Sequence, residues 1–126
     1  MAGKSRFNGF HHVQLAIPIG GEEYSRKFWV DAVGLNEVAK PPVLAARGGC
    51  WFRGDQLEIH LGAEHDFVAA RKAHPGIWVV GLKALAQQLE SAHVSVTWDG
   101  ELPGFRRFYV DDPFGNRLEF LEPETD

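Results

Sequence analysis

Cysteine is nearly missing from this sequence, since Cys50 is the only one among 126 residues. One cysteine excludes an intramolecular disulfide, and no cysteine and histidine pattern indicates a thiol nucleophile, so we expect Cys50 to be a small buried apolar residue. Basic charge is not in excess either, because 13 lysines and arginines stand against 17 aspartates and glutamates, with a net charge of -4. This balance does not favour nucleic acid or an anionic membrane as a partner, and a small molecule fits better.

Long apolar runs are also missing. The first ten residues, MAGKSRFNGF, lack the apolar core of a signal peptide, and no later stretch has the length of a membrane helix. We therefore expect a soluble, cytoplasmic protein with no membrane partner. With 126 residues, 44% of them hydrophobic, the chain has the size of a single domain, 1–126, that folds on its own core.

One order of elements occurs twice in the chain. A strand, a helix and three strands fill residues of about 8–66 and again about 70–123, offset by about 62 residues. The predicted strands are 10–17, 35–39, 50–53, 56–61, 74–80, 94–97, 105–110 and 117–121, and the predicted helices are 22–33 and 81–92, with some helical character in 62–73. The repeat predicts an α+β fold in which two tandem βαβββ modules form a curved, half-open mixed β-barrel with the helices outside.

Strand alternation places a few polar side chains on faces that would line this barrel. Glu119 lies in the middle of an otherwise apolar strand, and His12 shares one face of the first strand with Gln14. In the repeat, His12 corresponds to His74 and Glu58 corresponds to Glu119, while His60 shares the face of Glu58. We expect four side chains to meet in one concavity: His12, His74, Glu119 and either Glu58 or His60.

Five segments of the sequence carry a resemblance to a known family. They read HHVQLAIP, FWVDAVGL, LEIHLG, HPGIWVV and DPFGNRLEFLE, and they span nearly the whole chain. In these segments the sequence resembles the vicinal oxygen chelate superfamily, which includes glyoxalase I, bleomycin-resistance proteins, fosfomycin-resistance enzymes and extradiol dioxygenases. The resemblance implies a fold of paired βαβββ modules that commonly bind one divalent metal ion between them.

The resemblance also implies a set of metal ligands. His12, His74 and Glu119 match the family's positions on the first and fourth strands, and the remaining position matches either Glu58 or His60. Imidazoles and a carboxylate suit Zn²⁺, Ni²⁺, Fe²⁺, Mn²⁺ or Co²⁺, and the ligand types do not choose among these ions. The other histidines, His11, His65 and His93, are expected to be structural or exposed.

We expect a metal-dependent lyase or isomerase that acts on a small carbonyl compound or its thiol adduct. Glu119 would move a proton, and Gln14 and Trp78 would contact the substrate. A metal-free, drug-binding protein of the bleomycin-resistance type is one alternative, and a small ring-cleaving dioxygenase is another. Most relatives implied by the resemblance are homodimers, which is the state expected here. Whether the two modules of one chain pair together or with a second copy stays open.

Overall fold

Two four-stranded sheets, one from each half of the chain, form the frame of the computed structural model, which describes residues 3–125. The strands are β1 (Val13–Pro18), β2 (Asn36–Val38), β3 (Cys50–Gly54), β4 (Leu57–Glu64), β5 (Gly76–Trp78), β6 (Thr97–Asp99), β7 (Phe105–Asp111) and β8 (Arg117–Pro123). The helices are α1 (Glu22–Arg26), which continues as a π-helix over Lys27–Ala32, α2 (Pro42–Ala45) and α3 (Leu82–Ser91). No helix in the described part of the chain is long and apolar enough to cross a membrane.

When the strands are counted within each module, the two sheets have the same strand order. The first sheet runs β1-β4-β3-β2 and the second runs β5-β8-β7-β6. In each, the first strand of the module pairs in parallel with the fourth, and the other pairs are antiparallel. Both sheets curve without closing into a barrel. The predicted α+β fold, with two mixed, half-open βαβββ modules, is therefore confirmed.

Each sheet packs one face against helices and leaves the other face open. The packed faces carry the fully buried core, including Ile17, Phe52, Ile59, Phe108 and Phe120, all at most 1% exposed. In the second sheet these side chains form one cluster with Leu82, Ala86 and Leu89 of α3. The opposite faces, which we call the open faces, carry the polar side chains that alternate with this core.

The two halves of the chain touch on the helical side. The amide of Gln88 in α3 donates to the carbonyl oxygens of Ala32 and Val33, at 2.8 and 3.1 Å. At the sheet edge, Asn116 Nδ2 donates to the carbonyl oxygen of Ala16 at 2.8 Å. Contacts of this kind fix the relative position of the two modules while leaving both open faces uncovered.

The predicted helix at 22–33 is confirmed, and it ends as expected at Gly34. Gly34 has φ +96°, a left-handed conformation that a residue with a Cβ rarely adopts. The second half of the helix widens, because the amide of Val33 bonds to the carbonyl of Phe28, five residues back, at 2.9 Å. Sequence periodicity does not distinguish this π-turn from an α-turn.

Three local predictions were wrong. Residues 62–73 are not helical, because β4 continues to Glu64 in parallel register with β1, where Pro18 pairs with Glu64. The strand expected at 94–97 lies at Thr97–Asp99, since Val94 and Val96 pack against the core from a loop. The predicted elements include no helix between residues 39 and 50, whereas the structure has the short helix α2 there, which begins at Pro42.

Candidate functional site

The first sheet groups three aromatic rings on its open face. The His60 imidazole lies between the Trp51 indole and the His12 imidazole, with ring centroids 4.0 and 3.9 Å away and planes inclined by 5° and 15°. Register explains the first contact, because Trp51 of β3 pairs directly with His60 of β4. His12 lies just before β1 and is exposed, whereas His60 is buried. Two of the four predicted ligands therefore meet here.

Glu58 completes this first group through its contact with His60. Its Oε2 lies 2.7 Å from His60 Nε2, and its Oε1 accepts a hydrogen bond from Arg53 Nε at 2.8 Å. The hydrogen bond with His60, followed by that with Arg53, lowers the pKa of Glu58 to about 2. Glu58 is therefore an ionised carboxylate with a partner on each oxygen. We call His12, Trp51, Arg53, Glu58 and His60 the first half-site.

The second sheet brings together the other two predicted ligands. His74 Nε2 lies 2.8 Å from Glu119 Oε1, although the residues are 45 positions apart in the sequence. The other oxygen of Glu119 accepts a hydrogen bond from Arg107 at 3.2 Å, and Arg107 also bonds to Asp99 at 3.1 Å. Glu119 is 7% exposed, as expected for a carboxylate that a strand holds on a largely apolar face. We call His74, Asp99, Arg107, Tyr109 and Glu119 the second half-site.

Hydrogen-bond donors and acceptors do not balance at His74. Its Nδ1 lies 2.8 Å from the carbonyl oxygen of Lys72, which only accepts, so Nδ1 must carry a hydrogen. A neutral imidazole then has its lone pair on Nε2, and this atom faces a carboxylate oxygen of Glu119. Two acceptors at this distance require a proton or a cation between them. A histidine with one nitrogen bonded to a backbone carbonyl and the other facing a carboxylate is a typical metal-ligand arrangement.

The surroundings of His12 favour the neutral form, which is the form that binds metals. Desolvation, followed by the positive charge that His60 and His11 would carry, lowers the pKa of His12. The ring of His11 lies against it, with the two Nδ1 atoms 2.9 Å apart. The predicted strand 10–17 implies opposite faces for His11 and His12, but β1 begins only at Val13, so alternation does not extend to these two residues.

The two half-sites remain separate within one chain. Among residues 3–125, no hydrogen bond, ion pair or ring contact joins His12 or His60 to His74 or Glu119. In the same residues, no group of three or more His, Cys, Asp and Glu side chains is arranged to hold a metal ion. One chain thus presents two pairs of potential ligands on two open faces.

The predicted substrate contacts also lie on open faces. Trp78 pairs with Leu121, which lies two residues after Glu119 on β8, so the three side chains share a face of the sheet. The Trp78 residue is 66% exposed. Its indole contacts the Phe105 ring at 5.8 Å. Gln14 is exposed beside His60, its partner in the register of β1 and β4. Both residues lie beside a half-site, and their contact with a substrate stays a prediction.

Several members of the half-sites were not predicted from the sequence. Trp51 and Arg53 were missed, although alternation along β3 places both opposite the polar residues of β4 in the hairpin. Tyr109 was missed as well. It pairs with Glu119 across β7 and β8, and its ring centroid lies 5.7 Å from that of His74. The guanidinium of Arg117 lies over the Tyr109 ring, 3.9 Å from its centroid. The sequence could have indicated these residues, because each is a cross-strand partner of a predicted ligand.

Comparison with solved structures gives one relative with substantial sequence identity. A protein from Bacillus anthracis, described as a glyoxalase family protein, is 42% identical to this chain, covers 97% of it and 100% of its own length, and superposes with a TM-score of 0.91. No protein-family model matches the sequence, and no curated protein matches it significantly.

More distant structures share the fold alone. TnmS3, an antibiotic binding protein from Streptomyces sp. CB03234, is 19% identical, covers 94% of this chain and 100% of its own, and has a TM-score of 0.70. FosX, a fosfomycin resistance protein from Listeria monocytogenes solved with Mn(II) and 1S,2S-dihydroxypropylphosphonic acid, is 13% identical, covers 94% and 95% of the two chains, and has a TM-score of 0.73. One fold therefore includes an antibiotic-binding protein and a metal-containing resistance protein.

Proposed function

Because the chain belongs to the vicinal oxygen chelate superfamily of glyoxalase, bleomycin resistance and dioxygenase proteins, we propose that it is a metal-dependent enzyme of the lyase or isomerase type. Its substrate would be a small carbonyl compound or the thiol adduct of one. The ion would be Zn²⁺, Ni²⁺, Fe²⁺, Mn²⁺ or Co²⁺, all of which accept imidazole and carboxylate ligands. In this proposal Glu119 both holds the ion and moves a proton.

The pairing of His74 with Glu119 is the observation that carries the proposal. The Lys72 carbonyl fixes the hydrogen of His74 on Nδ1, so that Nε2 and a carboxylate oxygen face each other as two acceptors 2.8 Å apart. A divalent cation satisfies both acceptors at once, and the bond to the carbonyl then acts as the outer support that metal-binding histidines commonly have.

A homodimer would complete the ligand set. Both open faces are exposed in one chain, and the two half-sites lie on different sheets. A second copy that lays its first half-site on the second half-site of this chain would bring His12 and His60 of one copy to His74 and Glu119 of the other. The same contact, repeated by two-fold symmetry, would create two equivalent sites.

The chain's own residues would perform the proton transfer. When bound, a divalent ion stabilises the negative charge that develops on two adjacent substrate oxygens. Glu119 would accept a proton from the carbon next to the carbonyl group and return it to the neighbouring position. Arg107 holds the second oxygen of Glu119 and so orients the carboxylate. The exposed Trp78 would cover the apolar part of the substrate.

The test begins with the metal. Protein purified without chelators should contain about one divalent ion per chain by elemental analysis, since a symmetric dimer has one complete site per copy. After chelator treatment, calorimetric titration should show binding of at least one of the five ions, and a hemithioacetal of a 2-oxoaldehyde should be converted only by the reloaded protein. If no ion binds at neutral pH, the proposal is wrong.

A metal-free binding protein is the second candidate function. Trp78 and Phe105 expose an aromatic surface on the open face of the second sheet, and TnmS3 shares this fold. A planar cationic drug would stack on such rings. Fluorescence titration of chelator-treated protein with bleomycin tests this candidate, because binding without any ion, together with no turnover in the reloaded protein, would favour it.

A further inference from the structure

Arg117, at the start of β8, is a strand arginine without a carboxylate partner. The other strand arginines among residues 3–125 all form ion pairs, and these pairs are Arg53 with Glu58, Arg106 with Glu122, and Arg107 with Asp99 and Glu119. Within the same residues Arg117 forms no ion pair and no side-chain hydrogen bond, although Asp111 is its direct cross-strand partner. Its positive charge is therefore not matched by a carboxylate in the described part of the chain.

The side chain of Arg117 turns toward the second half-site. Its guanidinium lies over the ring of Tyr109, 3.9 Å from the ring centroid, and Tyr109 pairs with Glu119 and not with Arg117. The same Tyr109 ring lies 5.7 Å from the imidazole of His74. A guanidinium that stacks on an aromatic ring keeps the N–H groups at its edge free to donate. Arg117 thus presents hydrogen-bond donors beside the pair of His74 and Glu119.

Three kinds of side chain follow one another along the open face of β8. Strand alternation places Arg117, Glu119 and Leu121 on this face, with about 7 Å between successive side chains. Trp78 of β5 pairs with Leu121 and extends the apolar end. The face therefore offers a cation at one end, a carboxylate in the middle and an apolar surface at the other end.

The chemistry of Arg117 favours a carboxylate as its ligand. A guanidinium fork binds both oxygens of a carboxylate with two parallel hydrogen bonds, and it stays positively charged throughout the ordinary pH range. Arg117 is half-buried and its stack on Tyr109 already limits its motion, so binding costs less ordering. A cationic ligand would be repelled by Arg117 and would find one oxygen of Glu119 already bonded to Arg107.

We propose that Arg117 binds a carboxylate of the substrate, and that the substrate is a small oxo acid whose apolar end lies against Trp78. Its carbonyl group would then lie beside Glu119, between the two ends of the open face. The inference rests on the proposed function, because it names the class of the carbonyl substrate. Binding of the carboxylate itself involves no metal ion.

Three probes of equal length and different charge test this recognition on chelator-treated protein. They are 6-phenylhexanoate, its neutral amide and 6-phenylhexylamine, which is a cation at neutral pH. In calorimetric titrations at low salt the carboxylate should bind at least about tenfold more tightly than the amide, because a hydrogen bond to a charged group is stronger than one between neutral groups. The amine should bind more weakly than the amide, and added salt should reduce both differences.

Variants assign the charge preference to one side chain. Arg117→Gln should bind the carboxylate and the amide equally, and Arg117→Lys should keep part of the preference, since it keeps the charge without the fork. Arg106→Gln is the matched control, because Arg106 pairs with Glu122 on the packed face, and it should bind all probes as wild type does. Trp78→Ala should weaken the carboxylate and the amide by the same factor. Circular dichroism checks that each variant is folded.

A purely structural role of Arg117 predicts a different result. Loss of its stack on Tyr109 would change the stability, or weaken all three probes alike, without changing the ratio of their affinities. Equal binding of the carboxylate and the amide to wild type, no binding of either, or an unchanged preference in Arg117→Gln would each overturn the inference. Tightest binding of the amine would also overturn it and would favour the cationic drug of the second candidate function.

Failure of the proposed function gives a separate result. Wild type would then bind no divalent ion and convert no carbonyl substrate, while the titrations of metal-free protein would still measure the charge preference. Conversely, a protein that binds an ion and turns over a neutral carbonyl compound, yet does not distinguish the carboxylate from the amide, would keep the proposed function and lose only the role of Arg117.

Discussion

His74 Nε2 lies 2.8 Å from Glu119 Oε1, and the two residues are brought together by the parallel pairing of β5 with β8. The backbone reinforces this contact, since the amide of Glu119 donates to the carbonyl of Pro75 at 3.1 Å, one residue after His74. A pair held by strand register needs no rearrangement to act on a ligand. Such rigidity is what a metal or substrate site requires of its nearest side chains.

Loss of either member of this pair should remove metal binding while leaving the fold intact. We expect His74→Ala and Glu119→Gln each to weaken Mn²⁺ binding by more than about 100-fold, beyond the range typical of residues that only support a ligand. Calorimetric titration measures the affinity, and circular dichroism checks the fold. His65→Ala, at an exposed histidine outside both half-sites, should bind as wild type does. Wild-type affinity in both pair variants would contradict the assignment.

Mixed dimers should show which modules pair. If His12 of one copy meets His74 of the other, co-expression of His12→Ala and His74→Ala chains should restore one site in each mixed dimer. Random assembly makes about half of the dimers mixed, so activity should recover to about a quarter of wild type, whereas each variant alone is inactive. Tagging the two chains differently allows the mixed dimer to be purified and assayed. Inactive mixed dimers would instead place a complete site within one chain.

The sequence predicted the strand faces on which these candidate ligands lie, for a physical reason. His12, His74 and Glu119 stand out because strand alternation and the internal repeat both act on neighbouring residues, which a sequence displays directly. The loop of the β3–β4 hairpin is Asp55 and Gln56, one residue later than the expected strands imply, so Trp51 pairs with His60 and not with Glu58.

The separation of the half-sites could not be read from the sequence. It follows from contacts between the modules, such as the bond from Gln88 to Ala32, whose partners are 56 residues apart and belong to no pattern. Those contacts direct the packed faces of the sheets toward the helices of the same chain and leave the open faces outward. Periodicity predicts the face of a strand on which a side chain lies, but it does not predict which helix, sheet or second chain packs on that face.

Two tryptophans with similar exposure test the role of the open face. Trp78 is 66% exposed on the open face, and Trp98 is 50% exposed on the packed face, where it contacts Phe108 at 5.1 Å. Trp78→Ala should raise KM for the hemithioacetal about tenfold, because a large apolar contact is lost, and change the free energy of unfolding by less than about 1 kcal/mol. Trp98→Ala should do the reverse, with an unchanged KM and a loss of about 1–2 kcal/mol. Equal effects of the two changes on KM would contradict a substrate contact at Trp78.

Alkaline solution should destabilise the protein through its only cysteine. Cys50 is 1% exposed, and its burial raises the pKa of the thiol from 9.0 to about 11. Below pH 9.0 both the folded and the unfolded chain hold the proton, so this group adds no pH dependence. Between these two values the unfolded chain releases the proton while the folded chain keeps it, and the free energy of unfolding falls as pH rises, by up to about 3 kcal/mol in total.

The variant Cys50→Ala isolates this effect of the thiol. Its free energy of unfolding should be lower at neutral pH because the buried side chain becomes smaller, yet it should lose the part of the alkaline decrease that belongs to Cys50. Urea titrations of both proteins at intervals from pH 8 to pH 11 measure the two slopes. Under native conditions the wild-type thiol should also react slowly with iodoacetamide, since the thiolate is the reactive form and the folded chain suppresses it. Parallel slopes for the two proteins, or rapid alkylation at neutral pH, would show that Cys50 is less shielded in solution than its position in β3, within the core, indicates.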